Sequence, residues 1–298
     1  MKRFLSVALI LVSALVLSAV TVIDDAGRVV TLPRVPTRIV SLSPSATRFL
    51  IFLGLEDRIV GVTDFDEYDR AERVGMMVPV NLEKVVALKP DLVVTFGGFQ
   101  LPEVPKLERA GLNVLVINPT SLNDVIRGVM LLGTVFGVQE KARNLAEELN
   151  NKMIEMGKKT YNVPPDKRPK VLFMLSSPGP DVKEIWTCGA GSYLNDLISL
   201  AGGVNIAAGI AGPNGWPQVS LEYVVAQNPD VIFVGVYVPG TEKQEVEKVK
   251  NFAPFKSVNA VRSGRIFPVD GNLVSQPSPD IFQLLDVFHS FFYGGKGN

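Results

Sequence analysis

Two stretches of the chain say nearly the same thing. Asn81–Val94 reads NLEKVVALKPDLVV, and Ser220–Phe233 reads SLEYVVAQNPDVIF. Between Leu82–Asp91 and Leu221–Asp230, seven of ten positions are identical, whereas unrelated segments share about one in ten or fewer. Each copy has one physical reading. A capping residue (Asn81 or Ser220) opens a short helix, Pro90 or Pro229 ends it, and an Asp leads into an apolar strand. A chain that repeats a helix–strand unit is constrained to fold as two similar halves.

The flanking sequence fits that constraint. Short apolar segments alternate with helical ones: Arg38–Leu42, Arg58–Val62, Leu92–Phe96 and Asn113–Ile117 in the first half, then Lys170–Leu175, Val231–Val234 and Arg265–Val269 in the second. Strands that are apolar on both faces, separated by helices, form mostly parallel sheets covered on both sides. Ser43 or Ser45 is placed to cap a helix that Gly54 stops, and Asp25-Ala26-Gly27 is placed to turn a hairpin. Leu101–Ala110 reads as a helix. So does Asp280–Tyr293, with Ile281, Leu284, Leu285, Phe288 and Phe292 on one stripe. Between the halves, Gln139–Tyr161 contains no proline and is rich in Glu, Lys, Ala and Leu, predicting one helix roughly 34 Å long. The fold class is therefore α/β: two Rossmann-like lobes with mostly parallel sheets, residues 20–138 and 162–298, bridged by one long helix at 139–161. A single helical bridge is stiff, so only small closure motions between the lobes are expected.

Residues 1–19 read differently. Met1-Lys2-Arg3 is positive, Phe4–Leu17 is apolar or Ser, and small residues follow. This is the pattern of a secretory signal peptide cleaved near Ser18–Val20, although Phe4–Val20 also approaches the length of a membrane anchor. The chain has one cysteine, Cys188, far from that region. It forms no internal disulfide and reads as a small structural residue. Lys+Arg and Asp+Glu are equal at 30 each, and without a basic run the chain is a poor nucleic-acid binder. The single histidine, His289, abuts the apolar stripe of the last helix and cannot by itself support a bare-metal cluster. No nucleophile–base set, H-E-x-x-H or phosphate-binding loop occurs, and nothing points to catalysis.

Glu83 and Glu222, the second residue of each repeat, have two readings. In the first turn of a capped helix a carboxylate offsets the helix dipole by about 0.3–1 kcal/mol. Alternatively, two symmetry-related exposed carboxylates form a docking surface, for which arginines on a partner are the natural mates.

Five segments carry a resemblance: DDAGRVVTLPRVPTRIVSLSPSAT, LGLEDRIVGVTDF, NLEKVVALKPDLVVTFGG, WTCGAGSYLNDLISLAGGVNIA and WPQVSLEYVVAQNPDVIFV. In this order, around the long helix, they cover nearly the whole chain after residue 19. They resemble the class III solute-binding proteins of ABC importers, the group that binds vitamin B12, ferric siderophores and haem. The resemblance implies two lobes with a ligand cleft between them, and a glutamate on each lobe pairing with permease arginines. Those positions match Glu83 and Glu222. It places pocket residues at Phe65, Met77, Phe96 and Trp216, each of which also suits plain core packing; Trp186 and Tyr68 are weaker candidates. Met77 departs from an aromatic in the B12-binding members, and Arg48 stands where family members often carry Glu. If it faces the cleft, Arg48 would meet an anionic chelate. The function implied is an extracytoplasmic or periplasmic receptor, monomeric and without a cofactor of its own. It would capture a bulky metal chelate (ferric siderophore, cobalamin or haem) and hand it to the permease and its ATPase. A two-lobed chelatase-like enzyme, or a sensory or adhesive module without a transporter, are the competing readings.

Overall fold

The computed structural model describes residues 19–294, so nearly all of the expected signal peptide lies outside the described residues. The fold starts with an antiparallel hairpin, β1 (Val20–Ile23) and β2 (Val29–Leu32). The Asp24 carboxylate accepts from the Ala26 and Arg28 backbone N–H groups at 3.1 and 2.9 Å, and Gly27 supplies the positive φ of 74° that closes the turn.

The first lobe follows as β3 (Ile39–Ser41), α1 (Pro44–Phe52), β4 (Ile59–Val62), β5 (Glu72–Arg73), α2 (Leu82–Ala87), β6 (Leu92–Phe96), α3 (Val104–Arg109) and β7 (Val114–Ile117). Ser43 caps α1, its Oγ accepting from Ala46 N at 3.1 Å. The sheet is parallel throughout, in the order β5-β4-β3-β6-β7. Two helices, α4 (Leu122–Val135) and α5 (Gln139–Thr160), then cross to the second lobe. That lobe comprises β8 (Lys170–Met174), β9 (Glu184–Trp186), α6 (Tyr193–Leu200), β10 (Val204–Asn205), β11 (Gln218–Ser220), α7 (Leu221–Gln227), β12 (Val231–Val236), α8 (Glu242–Asn251), α9 (Asn259–Ser263), β13 (Ile266–Asp270), α10 (Gly271–Val274) and α11 (Leu284–Tyr293). Its main sheet is again parallel, in the order β10-β8-β12-β13. In both lobes the first strand of the sheet lies between the second and the strand that follows the repeat helix, β6 or β12.

The repeat holds this arrangement in register. The Asp91 N–H donates to Arg38 O at 2.8 Å, and its carboxylate accepts from the N–H groups of Thr37 and Arg38 at 2.9 and 3.2 Å. The Asp230 N–H donates to Lys170 O at 2.8 Å, and its carboxylate accepts from Lys170 N at 2.9 Å. Each Asp thus fixes where the first strand of its lobe meets the strand that follows the repeat helix. The basic side chain opening that first strand reaches back to the end of the repeat helix. Arg38 donates to Leu88 O at 2.8 Å and Lys170 to Gln227 O at 3.2 Å, each satisfying a carbonyl the helix leaves unpaired.

Residues Gln139–Thr160 form the long bridging helix, at 22 residues about 33 Å long. Its buried positions, Ala142, Ala146, Leu149, Met156 and Thr160, form one face. Gly133 of α4 packs directly on Ala142, and a Cβ at Gly133 would overlap that side chain. One apolar core runs from Phe49 and Leu50 of α1 through Leu132 and Leu149 to Phe173, Phe233 and Phe288. The lobes therefore share packed interior as well as a bridging helix.

Two helices start later than the sequence reading placed them. Residues Gly98–Glu103 are a 3-10 segment with Pro102 inside it, and α-helix begins only at Val104. The last helix likewise opens with a 3-10 turn at Pro279–Gln283 before α11. Pro105 has no N–H to donate to Leu101 O, so the first of these helices cannot start its α-helical ladder at Leu101.

Candidate functional site

In open parallel sheets, ligands sit at the carboxyl ends of the strands, where the strand order reverses. Here that point lies between β3 and β6 in one lobe and between β8 and β12 in the other, and the loops leaving these edges face each other. Between them lie two adjoining cavities of about 170 and 230 Å³ that share Pro44, Phe65, Asn272 and Gln276.

The smaller cavity brings together three of the four residues expected from the sequence. Phe65, Met77 and Phe96 form its N-lobe wall, joined by Phe99, which the sequence reading did not single out. Phe65 is half exposed at the tip of a turn after β4. That turn is closed by buried Asp66, whose carboxylate accepts from the Thr63 N–H at 3.0 Å and hydroxyl at 2.7 Å. Burial pushes the Asp66 carboxyl above its usual range, against the pull of the Thr63 hydrogen bonds. Phe96 ends β6, and Phe99 sits 6.4 Å from it, centroid to centroid. One fully buried side chain fixes this wall. The Gln100 amide donates to Leu42 O and Met77 O at 2.7 and 3.0 Å, while its oxygen accepts from Phe96 N at 2.8 Å and the Thr95 hydroxyl at 3.1 Å. Gln100 thereby ties the ends of β3 and β6 to the loop carrying Met77.

The opposite wall is polar. Asn272, Ser275, Gln276 and Pro277 come from α10 and the turn after it. The Ser275 hydroxyl lies 2.9 Å from the Tyr237 hydroxyl, which follows β12. The lobes touch at the floor of the cleft, where Ser45 Oγ donates to Pro277 O at 2.6 Å. Arg48 lines the larger cavity together with Asp66, Glu67, Tyr68, Asp69 and Arg70. Its guanidinium pairs with Asp280 at 3.0 Å and Glu67 at 3.7 Å. Arg48 does face the cleft, but as a cation held by carboxylates from both lobes.

Trp216 lies outside the residues lining these cavities. It is half-buried, edge-on to Phe173 and Tyr193 with ring centroids 5.9 and 6.4 Å away. Its loop still borders the cleft, because Asn214 approaches Gly98, the residue before Phe99, so closely that a Cβ there would meet it at 2.9 Å. Trp186 is exposed on β9, and the Tyr68 hydroxyl donates to Glu56 O at 3.0 Å. His289 packs on the Tyr293 ring at 5.0 Å, with Nδ1 3.1 Å from Ala201 O. Cys188 is fully buried, and burial pushes its thiol up to about 12. Among the described residues no His, Cys, Asp and Glu cluster is arranged to hold a metal ion, and no helix is long and apolar enough to cross a membrane.

Glu83 and Glu222 are both exposed. Asn81 Oδ1 and Ser220 Oγ cap their helices by accepting from Lys84 N and Tyr223 N, each at 3.1 Å. The Glu222 carboxyl is held below its ordinary value by its own backbone N–H and by Ser220. Helices α2 and α7 lead directly into β6 and β12, so each glutamate lies toward the edge of its lobe that bears the cleft.

A wider depression of about 610 Å³ lies at the amino ends of β8 and β13, walled by residues that include Lys167, Arg168, Arg262 and Arg265. Arg168 and Arg265 there donate to the Thr160 and Phe291 carbonyls at 3.1 and 2.6 Å. This open, charged surface lies on the far edge from the cleft and lacks the apolar lining of a ligand site.

Two lobes on parallel sheets, a rigid bridge and a cleft at the switch points define a solute-binding protein. The family model for periplasmic binding proteins matches residues 39–273, and the chain belongs to that family. It is 33% identical over 282 residues to the uncharacterised ABC transporter substrate-binding lipoprotein YvrC of Bacillus subtilis (strain 168), covering 92% of this chain and 85% of that one. It is 28% identical to the cobalamin-binding protein of Halobacterium salinarum (strain ATCC 29341 / DSM 671 / R1), covering 91% and 74%. Among solved structures, that of an ABC-type Fe3+-hydroxamate transport system from Saccharomonospora viridis superposes with a TM-score of 0.74 at 24% identity, covering 92% of this chain and 99% of that one. The family is one of substrate-binding proteins, and the chain is a binding protein rather than an enzyme.

Proposed function

We propose that this protein is the extracytoplasmic receptor of an ABC importer for a bulky metal chelate, which it captures between its lobes and delivers to the permease. The observation that carries this reading is the cleft. Three sequence-distant apolar side chains, Phe65, Met77 and Phe96, converge with Phe99 on one wall, facing placed polar groups on the other. Ligand sites for large organic molecules are built in this way. At about 170 and 230 Å³ the cavities are smaller than a corrin, porphyrin or siderophore complex, so the lobes part to admit it. Their shared core keeps that motion small. Trp216 borders the ligand from the Asn214 loop, and the metal arrives with the chelate as cargo, with no resident cofactor. The relatives that bind cobalamin or serve Fe3+-hydroxamate transport support this cargo class.

Glu83 and Glu222 then serve as two handles on the cleft-bearing edge, each meeting arginine on a permease subunit. Capping and docking coexist in one residue, because the Asn81 and Ser220 side chains make the caps while the carboxylates stay exposed. Substituting both glutamates by alanine leaves chelate affinity intact and abolishes uptake. Unchanged uptake by the double variant refutes the docking role. Calorimetry of the purified protein with cobalamin, haemin and ferric siderophores tests the cargo class, and absence of heat with all of them refutes it.

A further inference from the structure

We infer that the cleft is built for an uncharged chelate with a fringe of amide groups, and that Gln276 reads that fringe. This rests on the metal-chelate reading above and narrows it.

Gln276 lies at the junction of the two cavities and lines both. Its side-chain Oε1 is shut off from solvent and has no hydrogen-bond partner among the described residues. Burying an acceptor without a donor costs about 1–3 kcal/mol, so such groups are rare unless something else supplies the partner. Gln276 lines both halves of the cleft, and the parting of the lobes that admits a ligand brings this oxygen within its reach. Asn272, one turn earlier on the same wall, also lines both cavities, and its amide makes no hydrogen bond among the described residues. Two unengaged carboxamides therefore face the apolar wall of Phe65, Met77, Phe96 and Phe99. A carboxamide carries both donor and acceptor, so its closest chemical complement is another amide.

Charge points the same way. Arg48 reaches the cleft already paired with Asp280 and Glu67. The larger cavity is lined by three carboxylates, Asp66, Glu67 and Asp69, against two guanidiniums, Arg48 and Arg70. The smaller cavity is lined by no charged side chain. Of the two guanidiniums only Arg70, stacked over the Tyr68 ring, is not paired with a carboxylate among the described residues, so an anionic chelate would meet one cation among three carboxylates, which disfavours it. A neutral chelate with one apolar face and an amide-bearing edge satisfies both walls.

The test is competitive calorimetry on the purified protein with four probes. Cyanocobalamin and ferrichrome are uncharged and amide-bearing; haemin carries two carboxylates; ferric enterobactin is a trianionic catecholate. The expected result is that at least one of the first pair binds about 100-fold or more tightly than both of the second. Tighter binding of haemin or ferric enterobactin overturns this inference and leaves the metal-chelate reading standing. No binding by any probe overturns both. The Gln276→Leu variant separates recognition from structure. Removing an amide that the empty protein leaves unpaired is expected to keep or raise the melting temperature and to weaken the preferred chelate about ten-fold. A lowered melting temperature with unchanged affinity makes Gln276 a structural residue and refutes its role as reader. Cobalamin derivatives with a single side-chain amide hydrolysed to carboxylate supply a further arm if cobalamin is the preferred probe. At least one is expected to bind about ten-fold more weakly than the parent, and equal binding by all of them refutes the amide match.

Discussion

In the N-terminal lobe, the side chains that reach the cleft from the ends of β4 and β6 are Phe65, Phe96 and Phe99. In the C-terminal lobe, those that follow β13 are Asn272, Ser275 and Gln276. The order β4-β3-β6-β7 of the first sheet matches β10-β8-β12-β13 of the second, with β5 added at the first sheet's edge, and the repeated units bear the same Glu, Pro and Asp. The duplicated parts are those that set strand register and helix ends. The parts that diverged are the loops leaving the carboxyl edge, which the register positions but does not specify. One lobe offers a surface and the other offers hydrogen bonds.

The comparison can be broken most severely at Gln100, for which the second lobe shows no counterpart in its cleft wall. Gln100→Leu strips hydrogen bonds from the Leu42 and Met77 carbonyls and from Phe96 N–H. At about 1 kcal/mol or more for each buried group, a loss of about 3 kcal/mol in urea denaturation is expected, with chelate affinity falling as the wall loosens. A change below about 1 kcal/mol would show that the wall is held by something else. The apolar character of the N-lobe wall is tested next by Phe65→Ala with Phe96→Ala. This double variant is expected to weaken chelate binding about 100-fold, whereas Ser275→Ala on the polar wall costs a few-fold. Equal losses would erase the division of labour.

The paired aspartates sharpen the comparison further. The Asp91 carboxylate accepts from Thr37 N, Thr37 Oγ1, Arg38 N and Arg34; that of Asp230 accepts only from Lys170 N and Asn259 Nδ2. Asp91→Asn should therefore destabilise by about 2 kcal/mol and Asp230→Asn by about 1. Burial alone would raise the Asp91 carboxyl, but the Thr37 N–H, Arg34 and the Thr37 hydroxyl outweigh it and hold it at about 2, down from 3.8. A depressed carboxyl stabilises the fold fully above its unfolded value and loses that contribution as pH falls toward 2. Asp91→Asn should accordingly remove part of the acid-induced loss of stability between about pH 4 and pH 2. An unchanged acid limb in chemical denaturation would contradict this.

The smallest expected difference lies just before the repeat prolines. Lys89 and Asn228 both adopt left-handed backbone, with φ of 48° and 50°. Asparagine tolerates that conformation better than lysine. Lys89→Asn is expected to raise stability by about 0.5 kcal/mol. Asn228→Lys should lower it by more, because Asn228 Oδ1 also accepts from Asn259 N at 2.8 Å. A stabilising Asn228→Lys would overturn the equivalence of the two sites.

Much of this architecture was legible in the sequence because it rests on local signals. Ser43, Asn81 and Ser220 cap helices within three residues of themselves, and the apolar strands announce parallel sheets. Phe65, Met77 and Phe96 were found through resemblance, and the cavity gathers them. The polar wall was not legible. Asn272, Ser275 and Gln276 follow a strand, lie around a four-residue helix and show no periodicity. Gln100 sits in a 3-10 segment where the sequence reads as the approach to a helix. Arg48 read as a possible ligand contact because its partner Asp280 is 232 residues away. The packing of Trp216 on Phe173 and Tyr193 was not legible, because it sits in a Gly- and Pro-rich loop with no periodicity.

The core that both lobes share has a consequence for how the chain is made. Its closing piece is α11, whose Phe288 stacks on Phe233 at 4.3 Å and whose Phe291 stacks on Phe267 at 4.1 Å. That helix ends at Tyr293, at the very end of the described chain. A polypeptide delivered from its first residue to its last cannot complete this interior until the final turns arrive. Until then Phe233 and Phe267 of the second lobe's sheet lack the rings that stack on them.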